Sequence, residues 1–114
     1  MIIPNADRAV VDIRKLRDYV LNPLHERGKH KARVFASVFG LTANDAEAFR
    51  QYLLQVVQTH EAQLGMRGNY GQMYWIDLGL TWNDVTENVR ITWIIRYHED
   101  FPRLVSCFVR RKGR

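Results

Sequence analysis

Cys107 is the chain's one cysteine among 114 residues, so no intrachain disulfide can brace the fold and a small disulfide-stapled secreted scaffold is excluded. Long apolar runs are also missing. No stretch approaches the length of a membrane span, and Asp7 and Arg8 follow too soon after the first apolar residues to leave a signal-peptide core. A cytoplasmic protein with no membrane partner is therefore expected. The four histidines and Cys107 lack any zinc-site spacing, and no Gly-rich phosphate loop, nucleophile elbow or paired-carboxylate motif occurs. These absences argue against a metal hydrolase, a nucleoside-triphosphate enzyme and a serine or cysteine hydrolase, and no metal or cofactor is expected. Metal-free phosphodiester chemistry, or binding, is what they leave.

Acidic residues are in the minority, 12 against 17 Lys and Arg, which gives a formal charge of +5. A balance of that sign favours nucleic acid, anionic lipid or an acidic protein as partner. With 46% apolar residues the chain reads as one globular domain with a real core. No internal repeat or low-complexity segment is visible.

The pattern divides into a mainly helical half over residues 1–68, an antiparallel sheet over 69–110 and a loose basic tail over 111–114. Residues 1–7 read as an extended lead-in with a turn at Pro4-Asn5. Asp12 is placed to cap a first helix whose apolar positions are Ile13, Leu16 and Val20, and Asn22-Pro23 stops it. A second helix starts near Lys29, with Ala32, Phe35, Ala36 and Phe39 on one face, and ends at Gly40. Thr42, with Asp45 three positions on, opens a long third helix whose buried stripe is Ala46, Phe49, Leu53, Val56 and Val57. The glycines at 65 and 68 then close the helical half. Aromatic and β-branched residues dominate afterwards, and three strands are expected at 72–80, 88–98 and 103–110, joined by short loops as a meander. Helices first and strands second make an α+β domain with the helices on one face of the sheet.

Strand alternation separates two faces. Val89, Ile91, Trp93, Ile95 and Tyr97 form the core side of the middle strand, and Arg90, Thr92, Ile94, Arg96 and His98 the other. In the last strand Val105, Cys107 and Val109 alternate with Leu104, Ser106, Phe108 and Arg110. An open face carrying Thr92, Arg96, His98, Ser106 and Arg110 suits a nucleic acid.

The densest charge lies between Pro23 and Phe35, where His25, Arg27, Lys29, His30, Lys31 and Arg33 face only Glu26. A cationic loop at a helix N-terminus is a natural anion site. His25 and His30 are candidate proton-transfer groups, or else solvated and capping residues. Lys29, Lys31 and Arg33 either hold phosphate or form the wet side of the helix. Lys31, four positions before Phe35, borders the buried face, where an unpartnered lysine is costly. Arg96, set among Trp93, Ile94 and Ile95, reads either as an anion contact or as the partner of Asp77 or Asp100.

The runs Tyr19 to Phe35 with Gly40-Leu41, Val89 to Arg96, and Pro102 to Phe108 resemble a bacterial family of small uncharacterised domains related to ribonuclease toxins of the barnase, EndoU, colicin and RelE type of fold. The resemblance implies helices on one sheet face and an RNA-cleaving site on the other. Its catalytic positions would be His25, His30, Lys31, Arg96 and Ser106; the basic loop and the open strand face offer Lys29, Arg33, Arg90, Thr92, His98 and Arg110 as candidate substrate contacts. Phe108 stands where many relatives have tyrosine, which removes a hydroxyl from the last strand. The implied reaction is attack of an RNA 2′-hydroxyl on the neighbouring phosphate without metal. The implied partners are RNA (tRNA, rRNA or mRNA) and a cognate acidic antitoxin or immunity protein. A non-catalytic module that binds nucleic acid or protein through the same basic surface is the alternative.

Overall fold

Three helical segments lie against one face of a four-stranded antiparallel meander, in a computed structural model that describes residues 1–110. The basic tail at 111–114 lies outside the described residues. No helix among the described residues is long and apolar enough to cross a membrane.

Local chemistry starts and stops the helices where the sequence indicates. The Asp12 carboxylate accepts the backbone N–H of Arg14 at 2.9 Å and caps α1 (Ile13–Lys15), which widens at once into a π turn over Leu16–Val20. α2 (Lys29–Phe39) ends in a Schellman arrangement, with Gly40 at φ 67° and the Leu41 N–H returning to the Phe35 carbonyl. Ala32, Phe35 and Phe39 are buried on α2, but Ala36 is exposed, so the buried stripe is narrower than the spacing predicts. The Thr42 N–H donates to Asp45 Oδ2 ahead of α3 (Ala46–Thr59), whose predicted stripe of Ala46, Phe49, Leu53, Val56 and Val57 is buried in full. Phe49 is its centre, with ring centroids 5.9 Å from Phe35 and 5.6 Å from Trp82. Each such fully buried side chain contributes about 1.5–3 kcal/mol.

The sheet has four strands, not three: β1 (Gln63–Arg67), β2 (Gly71–Trp82), β3 (Val85–Arg96) and β4 (Arg103–Val109), paired in chain order. The glycine at 65 does not end the helical half but sits inside β1, where the Trp75 ring leaves little room for a Cβ. β2 and β3 pair in unbroken register from Gly71 opposite Arg96 to Trp82 opposite Val85. Their two-residue turn, Asn83-Asp84, has both φ values positive, the hairpin geometry that matches strand twist. β3 therefore ends at Arg96, and His98 belongs to the following turn rather than to a strand. Arg110 likewise falls just beyond β4.

One face of the sheet carries Tyr74, Ile76, Leu80, Val89, Ile91, Trp93 and Cys107, which join the helical side chains in a single core. An irregularity between Ser106 and Leu104 changes the expected alternation: Leu104 pairs with Trp93 and is buried, and the extra residue is Val105. The lead-in meets the sheet at Val10, in an isolated bridge to Arg103. The Val10 N–H donates to the Pro102 carbonyl at 2.9 Å and its carbonyl accepts the Leu104 N–H at 3.0 Å, covering the outer edge of β4.

Candidate functional site

At the end of β3 the chain turns through residues 97–102 and re-enters the sheet as β4, while the turn between β1 and β2 closes on the same corner. Between them and α1 lies a cleft of about 660 Å³. Its walls bring Asp12 and Lys15 from the first helix to Tyr70, Arg96, His98 and Arg103. Three stretches distant in sequence, residues 10–15, 69–70 and 94–105, meet there.

The acids at this corner are already occupied. Glu99 receives two hydrogen bonds from Arg103, each 2.8 Å, and Arg103 also stacks on Phe101 with its guanidinium 5.1 Å from the ring centroid. The Arg103 hydrogen bonds hold the Glu99 carboxyl below the usual range, with smaller contributions from Arg96 and His98 close by. Asp100 pairs with Arg8 at 2.9 Å, and Asp12 with Arg14 at 2.9 Å. Arg96 has no carboxylate within 4.0 Å among the described residues, so neither expected partner, Asp77 or Asp100, neutralises it. Its charge remains available to a ligand, beside an exposed imidazole on His98.

Asp77 is engaged on the open sheet face. It takes both Arg90 nitrogens at 2.8 and 2.9 Å and Arg110 at 2.9 Å, and Arg90 lies 4.9 Å from the Trp75 ring centroid. These hydrogen bonds, that of Arg90 first, keep the Asp77 carboxyl below its ordinary range. Arg90 and Arg110, expected to bind substrate, are thus held by an internal acid. Thr92 is also engaged, its hydroxyl donating to the Ser106 carbonyl at 3.3 Å. The Ser106 hydroxyl is buried and has no hydrogen-bond partner among the described residues. Lys31 reaches this end of the sheet, its ammonium 4.8 Å from the centroid of Phe108, the residue opposite Arg90.

The expected catalytic set does not converge. Arg90 and Arg96 are six residues apart on one strand, about 20 Å at the ordinary rise of an extended chain, so Lys31 and Arg96 serve opposite ends of the sheet. His25 occupies a third position. Its Nδ1 accepts the N–H groups of Gly28 at 3.0 Å and Arg27 at 3.1 Å, and its ring meets Tyr19 edge-on with centroids 4.8 Å apart. The Lys29 N–H donates to the His25 carbonyl at 2.9 Å. His25 therefore takes up the Arg27, Gly28 and Lys29 N–H groups, three of the donors leading into α2. His30 and Arg33 are exposed on α2, and Lys29 is half-buried.

The sequence reading missed Lys15 and Tyr70 as parts of this corner. No periodic signal links residue 15 to residue 96, and only the turn composition Gly68-Asn69-Tyr70-Gly71 sets Tyr70 apart from the strand it precedes. Among the described residues no three His, Cys, Asp or Glu side chains gather as a metal ion would require. No curated protein and no solved structure matches the chain. A family model described as a domain of unknown function, DUF6883, matches residues 2–111, and the chain belongs to that family.

Proposed function

We propose that the protein is a cytoplasm-acting, metal-independent endoribonuclease, of the kind deployed as the toxin of a toxin–antitoxin or contact-dependent pair and neutralised by an acidic partner. One observation carries the reading: Arg96, with no carboxylate within 4.0 Å among the described residues, and His98 line the same cleft as Lys15. Two cations, Arg96 and Lys15, suit the non-bridging oxygens of a phosphodiester, whose negative charge grows as a fifth oxygen approaches phosphorus. His98 takes the proton of the 2′-hydroxyl as its oxygen bonds to phosphorus. The bond to the 5′-oxygen breaks, and that oxygen takes a proton from water at the cleft mouth, leaving a 2′,3′-cyclic phosphate. On this reading the work expected of His25 and His30 passes to His98, and Lys15 takes the part expected of Lys31.

The test is incubation of the purified chain with total tRNA and ribosomal RNA in EDTA, followed by analysis of fragment ends. Cyclic phosphate ends are expected, with His98→Ala slowing cleavage by about 100-fold or more and His30→Ala leaving it unchanged. Intact RNA that is retained on the protein would replace the enzyme by a nucleic-acid-binding module. That second reading has an observation in its favour, because His98 is the one histidine lining the cleft.

A further inference from the structure

Thirteen aromatic side chains occur in the chain, and twelve have an evident packing role. Trp93, Tyr74, Phe35, Phe39 and Phe49 are buried, and Tyr52 and Trp82 pack on Phe49. The other five lie under cations: Tyr19 under Lys15, Trp75 under Arg90, Tyr97 under Arg67, Phe101 under Arg103 and Phe108 under Lys31. Among the described residues Tyr70 has none of these contacts, and it is 79% exposed. It nevertheless stands on a fixed backbone. The Gly68 N–H donates to the Gly71 carbonyl at 3.0 Å, the Tyr97 N–H donates to the Tyr70 carbonyl at 3.3 Å, and the Tyr97 hydroxyl donates to the Gly68 carbonyl. Gly71, at φ 154°, lies so close to β3 that a Cβ would come within 2.1 Å of the Ile95 carbonyl oxygen. The turn is thereby locked against the strand end that carries Arg96, with Tyr70 at the lip of the cleft.

We propose that Tyr70 is the stacking platform for an unpaired base, so that the ligand of this cleft is single-stranded nucleic acid whose phosphate meets Arg96 while the adjoining base lies on the tyrosine ring. The proposal rests on the reading of the cleft as a nucleic-acid site. A rigid, wet aromatic face beside an unpaired cation is the combination that binds single strands without regard to sequence, since every base has a face to stack. A duplex keeps its bases stacked on one another and offers the ring nothing.

The experiment uses the whole chain and a fluorescein-labelled single-stranded 2′-deoxy oligonucleotide, which lacks the hydroxyl the proposed cleavage needs. Binding is read by fluorescence anisotropy. Tyr70→Ala and Tyr70→Leu are expected to weaken binding roughly tenfold, and Tyr70→Phe to retain it. The unmodified protein is expected to bind the single strand more tightly than the matching duplex, and its Tyr70 ring protons to shift on binding. An unchanged melting temperature for each variant establishes that folding is intact, as the exposure of the side chain predicts. Wild-type affinity in Tyr70→Leu, or equal affinity for duplex, would overturn the stacking role and leave the cleft reading standing. Failure of the unmodified protein to bind either RNA or the oligonucleotide at low salt would overturn both.

Discussion

The ammonium of Lys31 lies 4.8 Å from the centroid of the Phe108 ring, joining α2 to the last strand across the edge of the sheet. A lysine beside a buried helix face has found an aromatic partner, which explains its position without a phosphate. Such contacts are worth about 0.5–1 kcal/mol when partly exposed. Lys31→Met is expected to cost about that much in denaturant titration, and the cost should vanish when Phe108 is already leucine. RNA cleavage by Lys31→Met should match the parent protein, because Lys31 is far from the cleft.

Gly71 is the position least open to change. At φ 154° and with the Ile95 carbonyl oxygen 2.1 Å from where a Cβ would stand, any side chain forces β2 away from β3. Gly71→Ala should lower unfolding free energy by about 3 kcal/mol or more, in the upper range for single substitutions. Gly68→Ala is the matched control, since nothing lies within 4 Å of its Cβ position, and its melting temperature should stay near that of the parent.

His25 should behave as a loop residue. Removing its imidazole leaves the Arg27 and Gly28 N–H groups without their acceptor, comparable to losing a helix cap, so His25→Ala should cost about 1 kcal/mol. Amide exchange over residues 25–29 should accelerate. Cleavage of RNA should persist at temperatures where the variant is folded, whereas His98→Ala should show the reverse pattern of intact stability and lost cleavage.

Acid should destabilise the fold in a defined window. The side-chain hydrogen bond from Arg14, with that of the Arg14 backbone N–H, holds the Asp12 carboxyl down at about 2. Arg90 and Arg103 likewise lower Asp77 and Glu99. Because these folded values lie below the unfolded ones, the unfolded chain binds more protons on acidification. The stabilisation is complete above the ordinary carboxylate range near pH 4 and is lost as pH falls toward 2. Melting temperature should be flat from neutrality to about pH 5 and then decline. Asp12→Asn should reduce the steepness of that decline.

The irregularity in β4 makes a further distinction. Leu104 is buried opposite Trp93, so Leu104→Ala should cost about 2–5 kcal/mol, while Val105→Thr, at the extra residue, should cost less than about 1 kcal/mol. The reverse order, with Val105→Thr the costlier, would mean that the strand keeps simple alternation.

Local signals located most of the elements. Asp12 and Thr42 mark the helix starts, Gly40 marks a stop, and the stripe from Ala46 to Val57 identifies its buried face, because caps and periodicity act between residues a few positions apart. β1 escaped notice because its five residues carry exposed Leu64, Met66 and Arg67 with no alternation of burial. The face assigned to Leu104 failed for a related reason: one inserted residue reverses the parity of everything before it.

The chain's composition and patterning by themselves determined an α+β domain with excess positive charge and a helix-covered sheet, since these follow from residue type and short-range spacing. Which charges remain available was settled by the tertiary structure alone. Seventeen Lys and Arg residues look alike in the sequence. Strand register gives Asp77 to Arg90 and Arg110, the turn after β3 gives Glu99 to Arg103, and Arg96 is left beside His98 in a cleft that Lys15 reaches from the other end of the chain. Ion pairing needs contact within about 4 Å, and only the folded chain decides which side chains come that close.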